Sequence, residues 1–121
     1  MRILKSVALG AVLAAATVCS AKDLKVLTIG NSFAESAFRF LPSVVKSVPG
    51  CKIEMERANI GGCTLGRHWK EHLKAEENPQ YKPYGWSKKK RSLREILSSK
   101  KWDVVTIQQG SHQSWKPESY E

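Results

Sequence analysis

The chain has 121 residues, with 20 Lys and Arg against 11 Asp and Glu, a formal net charge of +9 and an isoelectric point near 9.7. Hydrophobic residues make up 41% and charged residues 26%, which excludes a disordered or fibrous chain, and the length allows one domain at most. Three cysteines without a CxxC pair exclude a disulfide-rich scaffold and a zinc module, and no apolar run reaches the roughly 18 to 20 residues of a membrane span.

Residues 1–21 have the pattern of a secretory signal peptide. Arg2 supplies positive charge, residues 7–17 are small or apolar without interruption, and Cys19-Ser20-Ala21 places small side chains at a cleavage site. The pattern predicts a secreted or periplasmic protein whose domain spans residues 22–121. A membrane anchor or a buried first helix is an alternative. Lipidation at Cys19 is disfavoured, because the residues before it lack the leucine that lipoprotein signals carry.

Export would decide whether the two cysteines of the predicted domain can form a disulfide. An oxidising compartment permits Cys51 and Cys63 to form a disulfide between the second strand and the loop after it. The alternative is a pair of small buried thiols, which the sequence slightly favours because the separation of the two residues in space is unknown.

The first predicted elements are a strand and a helix. Residues 24–29 are apolar and β-branched, as in a buried strand, and the strand ends at Gly30. Asn31 or Ser32 caps the helix that follows, and Pro42 within that helix predicts a kink or a break into two pieces. Seven apolar positions predict a buried stripe on this helix: Phe33, Ala37, Phe40, Leu41, Val44, Val45 and Val48.

The remaining elements continue the alternation of strand and helix. Residues 51–58 alternate apolar and charged side chains, which predicts a half-exposed strand at a sheet edge. Residues 64–75 are predicted to be helical, and residues 76–87, with two prolines and a glycine, form a loop or a short hairpin. Residues 92–99 predict a short amphipathic helix and residues 102–107 a second buried strand.

This order of elements predicts an α/β fold with a parallel sheet and right-handed crossovers, in which the two most apolar strands are neighbours. Sites in such sheets gather at the carboxyl ends of the strands. Three small or polar segments follow the strands and are expected to form one pocket: Gly30-Asn31-Ser32, Asn59-Ile60-Gly61-Gly62, and Gln108-Gln109-Gly110-Ser111-His112.

Ser32 is the candidate nucleophile of this pocket. A serine directly after a buried strand, at a helix N-terminus, lies where the helix dipole and free N–H groups favour negative charge. Acyl transfer needs such a serine, a base and donors to the oxyanion, and the backbone amides of Ser32 and of Gly61 or Gly62 are candidate donors. Gln108, Gln109 or His112 can add a side-chain donor. By spacing alone, a simple helix cap is the more common role for Ser32.

Three blocks of sequence carry a family resemblance. KVLTIGNSF, NIGGCTLGRHW and SLREILSSKKWDVVTIQQGSHQS occur in the order found in SGNH (GDSL-type) hydrolases and resemble most an uncharacterised secreted branch with GNSF in place of GDSL. The resemblance implies a flavodoxin-like three-layer sandwich with a parallel sheet, the SGNH hydrolase fold, and hydrolysis of esters, often of acylated carbohydrate. It matches Ser32 to the nucleophile and Gly62, or Gly61 beside it, to the oxyanion glycine.

The sequence departs from that family in two places. The third block of the family has an asparagine two residues after a glycine, where this chain has His112, and the related branch is built instead around Gln108 to Ser111. The family's catalytic Asp and His belong to a C-terminal DxxH motif, and nothing after His112 provides it. The resemblance therefore implies the N-terminal part of a longer hydrolase, with about three strands present and no activity as it stands. His112 is expected to line the pocket rather than to replace the missing base.

Other features have simpler interpretations. His68 and His72 lie one helical turn apart, but no HEXXH motif or third ligand accompanies them, so no metal or other cofactor is expected. The run from Lys88 to Arg91 is expected to be a solvated loop rather than a nucleic-acid site. Tyr81, Tyr84 and Trp86 either stack on sugars or cover the sheet. The rivals to an esterase are a non-catalytic exported carbohydrate-binding module, which would use this loop and these aromatic residues, and a truncated remnant.

Overall fold

The computed structural model describes residues 22–86 and 89–121. The predicted signal peptide, with Cys19, lies outside the described residues, as does Lys88. The elements in chain order are β1 (Lys22–Gly30), α1 (Ser32–Lys46), β2 (Cys51–Asn59), α2 (Leu65–Glu77), β3 (Tyr84–Trp86), β4 (Lys89–Arg91), α3 (Leu93–Ser98) and β5 (Val104–Ile107), followed by a 3₁₀ turn at Pro117–Tyr120.

The main sheet is parallel, with the strand order β2-β1-β5 and β1 in the centre. Helices flank it, and the arrangement matches an incomplete flavodoxin-like fold, as the sequence predicts. Leu27 and Ile29 of β1 point to one face, where they pack with Ala58, Tyr84 and Ile96 in a buried cluster. Helix α1 packs on the other face, where Glu35 contacts Arg57 and Asn59 of β2. The sheet therefore lies between two layers.

Helix ends follow the capping residues in the sequence. Asn31 caps α1, Thr64 caps α2, and Ser92 forms a reciprocal capping box with Glu95 at the start of α3. Helix α1 runs through Pro42 as one helix, so the predicted break is wrong. The prolyl ring removes one hydrogen bond, and the bonds of the surrounding turns are sufficient to hold the helix together.

The predicted buried stripe of α1 is also wrong. Ala34 is buried and Phe38, Leu41 and Val45 are half-buried, whereas Phe33 is 61% exposed and Phe40, Val44 and Val48 are exposed as well. Apolar residues occupy more than half of the circumference of this helix, so their periodicity does not decide which side faces the sheet.

Strand β5 was also predicted to be buried and is exposed. It pairs with β1, as expected for the two most apolar strands, but all four of its residues are exposed, and Ile107 is 68% exposed. β5 is the edge of the described sheet, so one of its sides has no partner strand there. The other edge is β2, in agreement with its alternating pattern.

The segment before α3 forms a hairpin that begins later than predicted. β3 and β4 are antiparallel, with Tyr84 opposite Arg91. Lys89, Lys90 and Arg91 are therefore strand residues, which corrects the prediction of a solvated loop for the described part of the basic run. Arg91 also forms an ion pair with Glu56 of β2, which ties the hairpin to the sheet.

Candidate active site at the carboxyl ends of the strands

Ser32 is the first residue of α1 and its side chain is exposed. The cap of this helix is the preceding residue: the side-chain oxygen of Asn31 accepts a hydrogen bond of 3.1 Å from the amide of Phe33. The hydroxyl and the amide of Ser32 have no hydrogen-bond partner among the described residues. The simple capping role is thus filled by Asn31, and Ser32 presents a free hydroxyl at the positive end of a helix dipole.

Asn31 joins the three segments that follow the strands. Its side-chain nitrogen donates hydrogen bonds of 3.1 Å to the carbonyl of Cys63 and of 3.1 Å to the carbonyl of Gln109, and only 2% of the residue is exposed. The loop after β2 and the loop after β5 are therefore fixed on either side of the residue next to Ser32. The sequence identified Asn31 as a possible cap, but no local pattern signals its two long-range bonds.

Gly61 and Gly62 form an exposed turn between β2 and the buried Cys63. The turn is closed by a bond of 3.1 Å from the amide of Cys63 to the carbonyl of Ile60, and Gly62 has a φ of 62°, which favours glycine. The amides of the two glycines have no acceptor among the described residues. They lie one and two positions before the carbonyl that Asn31 binds, and so remain candidate donors to an oxyanion.

Gln109 braces the loop after β5. Its side-chain oxygen accepts hydrogen bonds of 2.9 Å from the amides of Leu65 and Gly110, and its nitrogen donates to the carbonyl and the hydroxyl of Ser119 at 2.8 and 3.1 Å. Because every polar group of this buried amide is occupied, Gln109 is not available as an oxyanion donor, which removes one of the predicted alternatives.

Gln108, Ser111 and His112 surround this brace and differ in exposure. Gln108 is half-buried, and its side-chain oxygen is buried without a hydrogen-bond partner among the described residues. That oxygen lies beside Gly30, where an added Cβ would approach it to 3.0 Å. Ser111 and His112 are exposed, and the ring of His112 lies against Gly110. All three residues follow the same strand end as Gln109 and remain candidates for a polar contact with substrate.

His68 contacts the end of β1 at Gly30. Its Nε2 lies 2.9 Å from the carbonyl of Gly30 and its Nδ1 lies 2.8 Å from the hydroxyl of Tyr84. A carbonyl only accepts, so Nε2 carries the proton and Nδ1 accepts from the tyrosine. Burial lowers the pKa of His68 below its usual value near 6.5 and raises the pKa of Tyr84 above its usual value near 10. The imidazole is therefore neutral, and both of its nitrogens are engaged.

The protonation of His68 predicts how stability depends on pH. The unfolded chain binds a proton on this imidazole below pH 6.5, whereas the folded chain resists it, so the free energy of unfolding is largest above pH 6.5 and falls as the pH drops below that value. We expect denaturant unfolding at pH 7.5, 6.5 and 5.5 to show this decline. His68→Gln is expected to flatten it, whereas His112→Gln, at an exposed position, keeps the wild-type slope. An unchanged slope in His68→Gln would contradict the assignment.

The four glutamates with lowered pKa values do not account for a loss of stability between pH 6.5 and 5.5. Hydrogen bonds from Lys100, Tyr81, Arg94 and Lys82 lower the pKa of Glu54, Glu71, Glu76 and Glu95, respectively, below the usual value of 4.5. A carboxylate with a lowered pKa loses its contribution only as the pH falls below its value in the unfolded chain. The decline expected between pH 6.5 and 5.5 is therefore separate from that of these four groups.

Other candidate side chains have structural partners. Tyr84 is 3% exposed and belongs to the buried cluster on the sheet, so for this residue the structure favours cover over sugar stacking, and Tyr81 donates a hydrogen bond to Glu71. Cys51 and Cys63 are free thiols, as the sequence slightly favours, and burial raises the pKa of Cys63. Within residues 22–86 and 89–121, no three His, Cys, Asp or Glu side chains cluster as metal ligands. No helix in that part of the chain is long and apolar enough to cross a bilayer.

The fold and the linked strand ends define an α/β protein of the flavodoxin-like class with a candidate site at the edge where such proteins bind ligands. No protein-family profile matches the chain, and a comparison with curated proteins finds no match. A solved structure of a DUF4886 family protein from Bacteroides uniformis is similar, with a TM-score of 0.65 and 28% sequence identity over 82% of this chain. The matched region covers 40% of that protein, so this chain spans less than half of its length.

Proposed function

We propose that this chain carries the nucleophile and the oxyanion donors of an exported SGNH-type serine hydrolase that removes acyl groups from carbohydrate or other small esters. The observation that carries the proposal is the free hydroxyl of Ser32 at a helix N-terminus, next to an asparagine that holds the other two strand-end loops in place. The three sequence blocks that resemble SGNH hydrolases coincide with these three strand ends.

The proposed chemistry is acyl transfer through a covalent intermediate. The oxygen of Ser32 attacks the ester carbonyl and gives its proton to a general base, while the amides of Ser32 and Gly62, or Gly61, donate to the oxyanion. Gln108, Ser111 or His112 supplies a further polar contact. The base then protonates the departing alcohol, and water hydrolyses the acyl-serine.

None of the 121 residues is proposed as the general base. By resemblance it is the histidine of a DxxH motif, and no such motif occurs among the 121 residues. The proposal therefore assigns activity only to a protein that also carries such a base, and expects the 121 residues alone to be inactive. A DxxH in frame downstream of codon 121 would support it.

The test uses the full-length gene product and a small activated acetyl ester. We expect hydrolysis, and we expect a fluorophosphonate probe to form a covalent adduct that peptide mass spectrometry locates on Ser32. Ser36 provides the internal control, because it is exposed on the same helix one turn further along and is not at the helix N-terminus. A product that binds carbohydrate without hydrolysing any acetyl ester, or an adduct on Ser36 instead of Ser32, would overturn the proposal in favour of a binding module or an unrelated reactivity.

A further inference from the structure

A cavity of about 330 Å³ lies along the free edge of β2, away from Ser32. It is lined by Met55 and Arg57 of β2, by Phe38 of α1, and by Gly85 and Lys89 of the β3–β4 hairpin, among others. β2 is an edge strand of the described sheet, so part of its backbone polar groups points toward this space rather than toward a neighbouring strand. The volume is at the small end of the range for ligand pockets in proteins.

The inner wall of the cavity is apolar. Phe38 and Met55 line it and are half-buried, and Ile96 of α3 also lines it but is almost fully buried. A ligand with an apolar body would displace water from the exposed parts of Phe38 and Met55, and the release of that water favours binding.

Among the described residues around the cavity, one cation has no matching anion. Arg57 pairs with Glu35 and stacks over Phe38 at 4.5 Å from the ring centroid, and Arg91 pairs with Glu56. These pairs fix both guanidinium groups and neutralise them. Lys89 is exposed at the rim and has no ion-pair partner among the described residues. The rim therefore matches a ligand with a single negative charge.

We propose that this cavity binds a small organic monoanion with an apolar body, such as an aryl-alkyl carboxylate, whose carboxylate lies at Lys89 and whose body lies against Phe38 and Met55. The proposal is independent of ester hydrolysis, because none of these residues belongs to the strand-end site. The edge of β2 offers backbone groups for a second polar contact with the same ligand.

The test is titration of the ¹⁵N-labelled full chain with 4-phenylbutyrate and, separately, with the uncharged 4-phenylbutan-1-ol. We expect the carboxylate to bind with a dissociation constant on the order of 1 mM or lower, as suits so small a ligand, and to shift the amide signals of Met55, Arg57 and Gly85. The alcohol is expected to shift the same signals with weaker affinity. Shifts confined to other residues, or equal affinity for the two compounds, would overturn the proposal.

Two charge-reversal variants distinguish binding of the carboxylate in the cavity from attraction by the net charge of the protein. Lys89→Glu is expected to weaken binding of the carboxylate about fivefold or more and to leave binding of the alcohol unchanged. Lys90→Glu changes the net charge equally, but Lys90 is the next residue of the same strand and does not line the cavity. We expect it to keep wild-type affinity. Both lysines are exposed, so neither change threatens folding, and an equal loss in the two variants would contradict the assignment.

Discussion

Replacing Ser32 with alanine is expected to lower kcat/KM of the full-length gene product for a small acetyl ester by at least about 1,000-fold. The physical reason is that the attacking oxygen is removed, and the amides that remain can stabilise charge only if another nucleophile, such as water, attacks. Stability should change by less than about 0.5 kcal/mol, because the hydroxyl is exposed and makes no hydrogen bond among the described residues. Initial rates and a thermal melt of each variant measure the two quantities.

Ser36→Ala is the matched control for this prediction. Ser36 is exposed on α1, so the substitution removes the same atoms from the same helix without touching the strand end. We expect it to keep wild-type kcat/KM. A Ser32→Ala variant that hydrolyses the ester at the wild-type rate would exclude Ser32 as the nucleophile, whatever the fold resembles.

Asn31→Ala is expected to lower the free energy of unfolding by about 3 to 5 kcal/mol. The substitution removes the cap of α1, which is worth about 1 kcal/mol, and leaves the carbonyls of Cys63 and Gln109 without their buried donors, each at a cost of about 1 to 2 kcal/mol. A shift of the urea midpoint at constant slope measures the loss.

Two further variants, Asn31→Ser and Asn78→Ala, distinguish the capping of α1 from the hydrogen bonds that Asn31 donates to the two loops. Asn31→Ser keeps an oxygen that can cap α1 but removes both donors, so it is expected to recover only about 1 kcal/mol of the loss in Asn31→Ala. The side-chain oxygen of Asn78 accepts one exposed hydrogen bond of 3.0 Å from the amide of Gln80, and Asn78→Ala is expected to cost less than about 1 kcal/mol. If Asn31→Ala costs no more than Asn78→Ala, the side chain of Asn31 does not hold the strand ends together.

The candidate site was partly predictable because its parts are local. A few consecutive residues encode each of these parts: the strand that ends in Gly30, the polar residue that caps the next helix, and the glycine turn after the second strand. Parallel strands place such segments at one edge of the sheet. The long-range hydrogen bonds of Asn31 and His68 were not predictable. Asn31 bonds to a carbonyl 78 positions away, and His68 bonds to a tyrosine 16 positions along the chain, so no periodicity or spacing reports either contact.

The sequence by itself determined the order of the main strands and helices and the placement of Ser32 at a helix N-terminus, because both depend on patterns within a few residues, whereas it left the cap of α1 open between Asn31 and Ser32. The tertiary structure alone decided which apolar side chains are buried. β1 is covered because it has a strand on each side and a layer on each face, whereas β5 carries an equally apolar sequence at an edge and stays exposed. Burial depends on what packs against a residue, and that partner is set by register and layering over the whole chain.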